Sequence, residues 1–147
     1  MKTIAIDFDG VIHSYDKGWQ DGSIYGKPIE GVFESIDEFI KKGYSVFVFS
    51  TRSPFQIKKW LIEHTFETEF DTEGLGGDPT YYKYQKYSFS VKIIPFWVKF
   101  WNKEKIVGIT RRKLPAHVYI DDRALKFNGN WESTANEAFF YKTWQEQ

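Results

Sequence analysis

Three short apolar segments, each meeting polar side chains where it ends, constrain the fold of this chain most strongly. They cover residues 2–8, 44–49 and 118–120, and they end in or lead into carboxylates or a hydroxyl. Runs of this length, rich in β-branched and aromatic residues, are typical of buried strands. Because the carboxyl ends of parallel strands share one edge of a sheet, we expect these polar residues to gather there.

Segments with helical periodicity separate the predicted strands. Residues 30–42 carry apolar side chains at helical spacing, begin with an acidic residue and end in Lys-Lys-Gly, a pattern typical of a helix. Residues 54–64 and 131–144 are predicted to form two further helices, and residues 106–109 a short strand. This alternation predicts an α/β domain, a Rossmann-like three-layer sandwich with a mainly parallel central sheet.

The stretch between residues 65 and 104 is the hardest to interpret. Residues 65–80 are predicted to be irregular, and residues 81–103 to form a strand or loop followed by a helix near residues 95–101. A chain of 147 residues fits a single domain, residues 1–147, because domains usually hold roughly 100–200 residues. Within it, residues 65–104 are predicted to form an insertion or lid.

Composition excludes several classes of function. The chain has no cysteine, which removes disulfides, thiolate nucleophiles and thiolate metal sites. No apolar run approaches the roughly 18 residues of a membrane helix, so we expect a cytoplasmic protein with no membrane partner. The net charge is zero, but residues 83–113 hold nine Lys or Arg against one acidic residue, whereas residues 1–82 hold eight against fourteen.

Paired carboxylates follow two of the predicted strands. Asp7 and Asp9 are one pleat apart, so their side chains face the same way, and Asp121 and Asp122 follow the third apolar segment. Such carboxylates repel one another unless a cation lies between them, and Mg²⁺ prefers hard oxygen ligands. An isolated Asp-x-Asp also fits a solvated turn, but a second acidic pair at another strand end favours a metal site.

Four motifs stand in an order that resembles the haloacid dehalogenase (HAD)-type phosphohydrolase superfamily. They are Asp7-Phe8-Asp9-Gly10-Val11, Ser50 after the second strand, Lys113, and Tyr119-Ile120-Asp121-Asp122. The resemblance covers residues 2–64 and 105–131, and residues 65–104 match no motif. It implies a HAD-like fold and a Mg²⁺-dependent phosphatase. The gaps between the motifs are too short for a full cap domain, so a capless or minimally capped type is implied.

The resemblance also implies roles for individual residues. Asp7 would attack phosphorus and form an aspartyl-phosphate, and Asp9 would act as general acid and base. Ser50 and Lys113 would contact the phosphoryl oxygens. Magnesium would be held by four residues: Asp7, Asp9 through its backbone carbonyl, Asp121, and Asp122 directly or through water.

Two of the phosphate-binding positions have close competitors. Ser50 also fits a cap of the next helix, and Thr51 is its nearest rival. Other cations lie close enough to Lys113 to stay open as phosphate ligands: Arg111, Arg112 and Lys105.

Further polar residues surround the motifs. Substrate binding is assigned to Gly10, Thr51 and Arg52. Arg52 and Arg123 fit either a contact with substrate phosphate or an ion pair with Asp122. His13 fits a contact with substrate or, more simply, a satisfied polar loop residue. Two histidines have no acidic or histidine partner at ligand spacing and are interpreted as structural: His64 and His117.

Residues 81–113 form what we call the aromatic–basic segment, in which nine aromatic rings are interleaved with Lys and Arg. This pattern fits a site for a nucleotide or single-stranded nucleic acid, an amphipathic insertion with solvated lysines, or a self-association surface.

Three functions follow from the sequence. The first is a phosphatase acting on a phosphorylated small molecule, a nucleotide or a nucleic-acid end.

The second function is a nucleic-acid or nucleotide binding module with a vestigial acidic site, and the third is a phospho-accepting regulatory domain. Asp9, two residues after the nucleophile, favours hydrolysis over the regulatory domain, which has no use for an acid/base there. The complete set of motif residues argues against a vestigial site. We therefore expect a phosphatase.

Overall fold

The computed structural model describes residues 1–71 and 80–147. Within them no helix has the length and apolar character needed to cross a membrane. The elements of this part of the chain are β1 (Thr3–Asp7), α1 (Val32–Lys41), β2 (Ser45–Phe49), α2 (Pro54–Thr65), β3 (Phe66–Asp71), β4 (Thr80–Gln85), β5 (Ser90–Ile93), β6 (Ile106–Thr110), β7 (Val118–Ile120) and α3 (Trp131–Phe139). The helices predicted at residues 30–42, 54–64 and 131–144 are confirmed, the last one shorter than expected, and four predicted strands are found within one residue of their expected ends.

Five strands form one central sheet in the order β5-β6-β2-β1-β7. Every neighbouring pair in it is parallel, which confirms the predicted α/β class with a parallel central sheet. The chain places β2 on one side of β1 and, later, β7 on the other side. Such a switch point leaves a crevice at the carboxyl ends of the strands, where ligands bind in open parallel sheets.

Helices α1 and α2 cover one face of this sheet. Both are amphipathic, and their buried apolar residues are Phe33, Ile36 and Ile40 in α1 and Ile57, Trp60 and Leu61 in α2. They pack against alternating residues of β1 and β2, namely Ile4, Ile6, Val46 and Val48. Each large apolar side chain buried in this way stabilises the fold by roughly 1.5–3 kcal/mol, so this layer fixes the two strands that lead to the crevice.

Loop residues, and no helix residue, form the packed cluster on the opposite face of the sheet. Ile94, Trp101 and Leu114 pack there against Ala5 and Phe47, and α3 has no buried residue. Among the described residues, helices therefore cover only one face of the sheet, whereas the predicted three-layer sandwich has helices on both faces. In the described part of the chain, residues 94–101 and 114–116, before and after β6, supply the layer on the other face.

Gly108 in the middle of β6 makes this covering possible. A Cβ at this position would lie 2.6 Å from Ile94 Cδ1 and 2.8 Å from Trp101 Cε2. The Trp101 ring is 2% exposed, and its backbone carbonyl accepts hydrogen bonds from Thr3 Oγ1 at 2.9 Å and from Ser45 Oγ at 3.0 Å. Trp101 thus ties the covering segment to the amino ends of β1 and β2.

Residues 65–104 differ most from the prediction. The irregular structure expected at residues 65–80 is wrong for β3, which pairs antiparallel with β4, and residues 72–79 lie outside the described residues. β5 extends the central sheet, so part of this segment belongs to the core, while a lid stays a prediction. The helix expected near residues 95–101 is wrong as well. Only a turn from Pro95 to Val98 forms. After this turn the chain extends, and Trp101 packs against the sheet.

Candidate active site

β1 and β7 bring three carboxylates to the crevice between them. Asp7 is the last residue of β1, and Asp121 and Asp122 directly follow β7. Ile6 pairs with Ile120 in the parallel register, so the two strands end at the same level. One carboxylate oxygen from each of the three residues lies within 4.8 Å of the others. We call Asp7, Asp121 and Asp122 the carboxylate cluster.

The cluster concentrates negative charge, and the pKa values reflect this. Burial, together with the nearby carboxylates of Asp121 and Asp122, raises the pKa of Asp7 from 3.8 to about 7. The Phe8 N–H donates to Asp7 Oδ1 at 2.9 Å and opposes this rise. Burial also raises the pKa of Asp122, against the opposing charge of Arg123. A cation bound between carboxylates with raised pKa values would lower the free-energy cost of ionising them, so these pKa values favour cation binding.

The donor set of the cluster fits a hard divalent cation. Asp122 Oδ1 is buried and has no hydrogen-bond partner among the described residues. Within the same residues, no cluster carboxylate forms an ion pair with a basic side chain. Mg²⁺ is bound in proteins through a few carboxylates, with water and substrate oxygens completing its shell. The cluster meets that requirement, and exposed Asp121 leaves one side accessible.

Gly10 forms the wall against which Asp122 packs. Its φ of +82° lies in the left-handed region, and a Cβ there would lie 2.2 Å from Asp122 Oδ2, so glycine is required on both counts. The Gly10 carbonyl accepts the Nε1–H of Trp144 at 2.8 Å, and the Tyr141 hydroxyl donates to the Asp122 backbone carbonyl. Sequence reasoning missed both aromatic residues, because no spacing links them to the motifs. A contact of Gly10 with substrate stays a prediction.

Asp9 belongs to a second network beside the cluster. Arg52 donates its Nε–H to Asp9 Oδ2 at 2.7 Å, and Nδ1 of His13 lies 2.9 Å from Asp9 Oδ1. Burial alone would raise the pKa of Asp9, but these hydrogen bonds outweigh it and lower the pKa. The Arg52 side chain is 3% exposed, so it forms a nearly buried ion pair with Asp9, and none with Asp122. Asp9 held in this way is ionised, so it would have to take up a proton before it could act as a general acid.

His13 is the satisfied loop residue that its sequence context favours. Its ring is 0% exposed, stacks on Phe8 at 5.4 Å between centroids and meets Trp60 edge-on at 5.6 Å. Its Nε2 accepts the Gly26 N–H at 2.8 Å, which assigns the ring proton to Nδ1, the donor to Asp9. Both nitrogens are used and no part of the ring reaches solvent, so His13 positions Asp9 and does not contact substrate.

The other two histidines lie outside both networks. His64 packs on Trp60 with 4.4 Å between ring centroids, and burial lowers its pKa. His117 directly precedes β7, and its backbone N–H donates to the Thr3 carbonyl at 2.8 Å. Both agree with the structural interpretation of these residues.

Ser50 and Thr51 follow β2 at the edge of the sheet that holds the cluster. Ser50 is buried, and its Oγ accepts the Arg52 N–H at 3.2 Å, which leaves its own hydroxyl proton for another acceptor. The alternative role as a helix cap is wrong, because α2 begins after Ser53. Thr51 is exposed. A phosphoryl contact by Ser50 or Thr51 is compatible with this placement and stays a prediction.

The cations considered for phosphate binding occupy different places. Lys105 directly precedes β6, so it lies at the amino edge of the sheet, opposite the cluster, and is excluded. Arg112 donates Nη2–H to the Pro95 carbonyl at 2.9 Å. Arg111 donates Nε–H to the Arg52 carbonyl at 3.2 Å, which holds it beside the Asp9 network.

Lys113 is exposed, and its Nζ lies 4.7 Å from the centroid of the Tyr119 ring. Tyr119 belongs to β7, so this lysine lies beside the strand that leads to the cluster. The ion pair with Asp122, one of the two alternatives for Arg123, is not formed. The backbone N–H of Arg123 instead donates to Asp121 Oδ1 at 2.9 Å.

The aromatic–basic segment divides into a buried and an exposed part. Phe89 and Trp101 are both 2% exposed and belong to the core, whereas Phe96 and Trp97 are 83% and 67% exposed. The buried rings agree with the interpretation as an amphipathic insertion. Binding and self-association by the exposed rings stay predictions.

Comparison with known proteins supplies no relative for this arrangement. No protein-family profile, no curated protein and no solved structure matches the chain. The functional case therefore depends on the carboxylate cluster and the residues around it.

Proposed function

We propose that this protein is a Mg²⁺-dependent phosphatase of the HAD type that hydrolyses a phosphomonoester through an aspartyl-phosphate on Asp7. The observation that supports this is the convergence of Asp7 with Asp121 and Asp122, whose oxygens lie within 4.8 Å of one another at the sheet switch point. The raised pKa of Asp7 and the buried, unpaired Oδ1 of Asp122 add to it, since a cation bound there would lower this pKa and give Oδ1 a partner.

The reaction proceeds in two displacements at phosphorus. An Asp7 carboxylate oxygen forms a bond to phosphorus while the bond to the ester oxygen breaks, and that oxygen leaves with its electron pair and takes up a proton. Water then attacks phosphorus, the bond to Asp7 breaks, and inorganic phosphate leaves. Splitting hydrolysis in this way replaces one difficult step with two easier ones.

Positive charge is needed for both displacements. A divalent cation bound by Asp7, Asp121 and Asp122 would offset the charge of the carboxylates and of the phosphoryl group. Lys113 and the Ser50 hydroxyl are our candidates for further contacts to the phosphoryl oxygens. Such charge neutralisation and positioning account for most of the catalysis of phosphoryl transfer.

Asp9 is our candidate general acid and base, with one structural condition. Its Oδ2 accepts a hydrogen bond from Arg52 at 2.7 Å, so Asp9 must exchange Arg52 for a proton from solvent, which it then donates to the departing ester oxygen and regains from the attacking water. Substrate phosphate supplies a reason for this exchange, because a guanidinium pairs as well with phosphate as with a carboxylate. His13 keeps Asp9 in place while Arg52 moves.

Hydrolysis of 4-nitrophenyl phosphate tests the proposed function. We expect Mg²⁺-dependent release of phosphate that EDTA abolishes. Asp7→Asn should lower the rate by at least about a thousandfold, because it removes the nucleophile. Asp16→Asn, a change of an exposed loop carboxylate, is the matched control and should leave the rate unchanged. No activity of the wild type on a broad set of phosphomonoesters would refute the phosphatase.

The role of Asp9 is tested by the quality of the leaving group. A general acid matters most when the leaving oxygen is strongly basic, so Asp9→Asn should slow hydrolysis of glycerol 3-phosphate more than that of 4-nitrophenyl phosphate. General acid–base catalysis is typically worth about 10²–10⁴-fold. Equal losses on both substrates would assign Asp9 a structural role with Arg52 and His13.

The same preparations distinguish the phosphatase from a phospho-accepting regulatory domain. A phosphatase releases phosphate, and the aspartyl-phosphate does not accumulate at steady state unless its hydrolysis is slow. Stable phosphorylation of Asp7 by a small phosphodonor, with no catalytic release of phosphate, would instead support the regulatory domain.

A further inference from the structure

We propose that a groove beside the carboxylate cluster binds the base of a nucleotide against Trp19, so that the substrate is a nucleoside monophosphate, free or at the end of a strand. This inference rests on the proposed phosphatase function and names its substrate class. It assigns recognition of the base to Trp19 in the loop after β1, a ring that lies outside the aromatic–basic segment.

The groove has a volume of about 530 Å³ and lies between residues 19–23 and residues 51–56. Ligand pockets of drug-sized molecules usually measure about 300–1,000 Å³, so one nucleoside fits. Thr51 and Arg52 form part of its wall, and both directly follow Ser50 at the carboxyl end of β2. The groove therefore opens next to the proposed site of phosphoryl transfer.

Trp19 offers an aromatic surface in this groove. Its side chain is 66% exposed although it belongs to the largest residue type. Arg52 Cζ lies 5.3 Å from the Trp19 ring centroid, and the same guanidinium donates to Asp9 and, at 2.8 Å, to the Gly22 carbonyl. The ring thus contacts a nearly buried arginine while much of it stays open. An exposed indole beside a guanidinium is suited to stacking on a planar base.

The charges around the groove suit a nucleotide. Arg111 is exposed at its edge, where a guanidinium can hydrogen-bond to a base edge or to phosphate. Asp21, the acidic residue in the described lining, accepts the Ser23 N–H at 2.9 Å. The lining therefore carries two guanidinium groups against one carboxylate, and one of the two, that of Arg52, is paired with Asp9.

One side chain connects the groove with the cluster. Arg52, part of the groove wall, contacts the Trp19 ring and also donates to Asp9, and Asp9 is two residues from Asp7. A phosphate at Asp7 with its base on Trp19 places the ester bond along this line. The exposed rings that follow β5 have no such connection, because β5 is separated from β1 by β6 and β2.

The test compares kcat/KM for adenosine 5′-monophosphate with kcat/KM for glycerol 3-phosphate, which has no ring to stack. We expect Trp19→Ala to lower the value for the nucleotide more than the value for glycerol 3-phosphate, by a further factor of about 5–150. One base–aromatic stack supplies this range. Trp19→Phe should restore most of the loss. Trp97→Ala, which removes an equally exposed indole, should change neither value.

Each outcome bears on the inference. Equal losses on both substrates, or a selective loss caused by Trp97→Ala and not by Trp19→Ala, would overturn it. A 5′-phosphorylated tetranucleotide tested in parallel distinguishes a strand end from a free nucleotide as the preferred source. Failure of the phosphatase itself is recognised separately, since the wild type would then hydrolyse none of these esters.

A binding measurement tests the proposed nucleotide site even when the protein does not turn over the nucleotide. Calorimetric titration of adenosine 5′-monophosphate into the Asp7→Asn protein with Mg²⁺ measures affinity when the nucleophile is absent. The double variant Asp7→Asn/Trp19→Ala should bind more weakly by the same factor of about 5–150. Unchanged affinity, or no binding by either protein, would refute the groove as a nucleotide site.

Discussion

Replacing Asp7 with Asn should stabilise the protein when no divalent cation is present. The unfolded chain ionises Asp7 near pKa 3.8 and the folded chain near pKa 7. Between these values the folded state holds a proton that the unfolded state has lost, so stability falls as pH rises from 3.8 to 7,. Above this range the destabilisation is complete. Asn carries no charge and avoids it at every pH.

The magnitude follows from the two pKa values. A difference of one unit corresponds to about 1.36 kcal/mol, so the interval between 3.8 and about 7 sets an upper bound of about 4 kcal/mol. Asp7 is only partly buried, and solvent screens part of the interaction, so we expect about 2 kcal/mol near pH 8. For a chain of this size that is a rise in Tm of about 4–8 °C.

Thermal unfolding followed by circular dichroism measures this difference. In EDTA near pH 8, Asp7→Asn should unfold at the higher temperature, and near pH 4 the two proteins should agree. Mg²⁺ should raise the Tm of the wild type more than that of the variant, because the variant lacks one carboxylate ligand. Asp16→Asn, at an exposed position, controls for the loss of a charge. A wild type at least as stable as Asp7→Asn near pH 8 in EDTA would refute the electrostatic account of the cluster.

Three further substitutions test the surroundings of the site. Arg52→Met should lower the free energy of unfolding by about 3 kcal/mol, because it leaves Asp9 without its nearly buried partner,. Urea titration measures this loss. The double variant Arg52→Met/Asp9→Asn should recover part of it. Gly10→Ala should cost about 2 kcal/mol through its positive φ and its approach to Asp122,, and should abolish the Mg²⁺-dependent rise in Tm. Trp101→Ala should cost about 3–5 kcal/mol by emptying the second face of the sheet,, as urea titration again measures.

The outcomes that contradict these predictions are specific. If Arg52→Met/Asp9→Asn is no more stable than Arg52→Met, removing Arg52 does not leave Asp9 as an unpaired, partly buried charge. An unimpaired Mg²⁺ response in Gly10→Ala would place the cation away from Asp122. A loss of less than about 1 kcal/mol in Trp101→Ala would mean that this ring does not fill the core, since large-to-small changes in a packed core cost several times more.

Local patterns predicted most of the regular elements, because burial in a layered domain imposes a period on each of them. Phe33, Ile36 and Ile40 lie on one face of α1 at helical spacing, and the apolar run of β1 reflects a strand packed on both sides. The pattern fails at residues 95–101. Aromatic residues there suggest a helix, but Gly108 opens a slot on β6 that Trp101 fills, and no local pattern reports on a slot in a distant strand.

Within the candidate site, the carboxylates were predictable and their partners were not. Asp7 and Asp121 follow apolar strands, which is visible in the sequence. The contact between Trp144 and Gly10 joins residues 134 positions apart. It depends on where the chain returns after α3, and the sequence carries no signal for that path.

The sequence by itself determined that this chain is an α/β domain and that carboxylates lie at the ends of its strands, because strand length and side-chain alternation are local properties. Only the tertiary structure decided which carboxylates share a site. Asp7 meets Asp121 and Asp122 because β7 lies beside β1 in register. Asp9 is instead bound by Arg52, 43 residues away, since the packing of the loop after β1 against the end of β2 offers its carboxylate a buried cation.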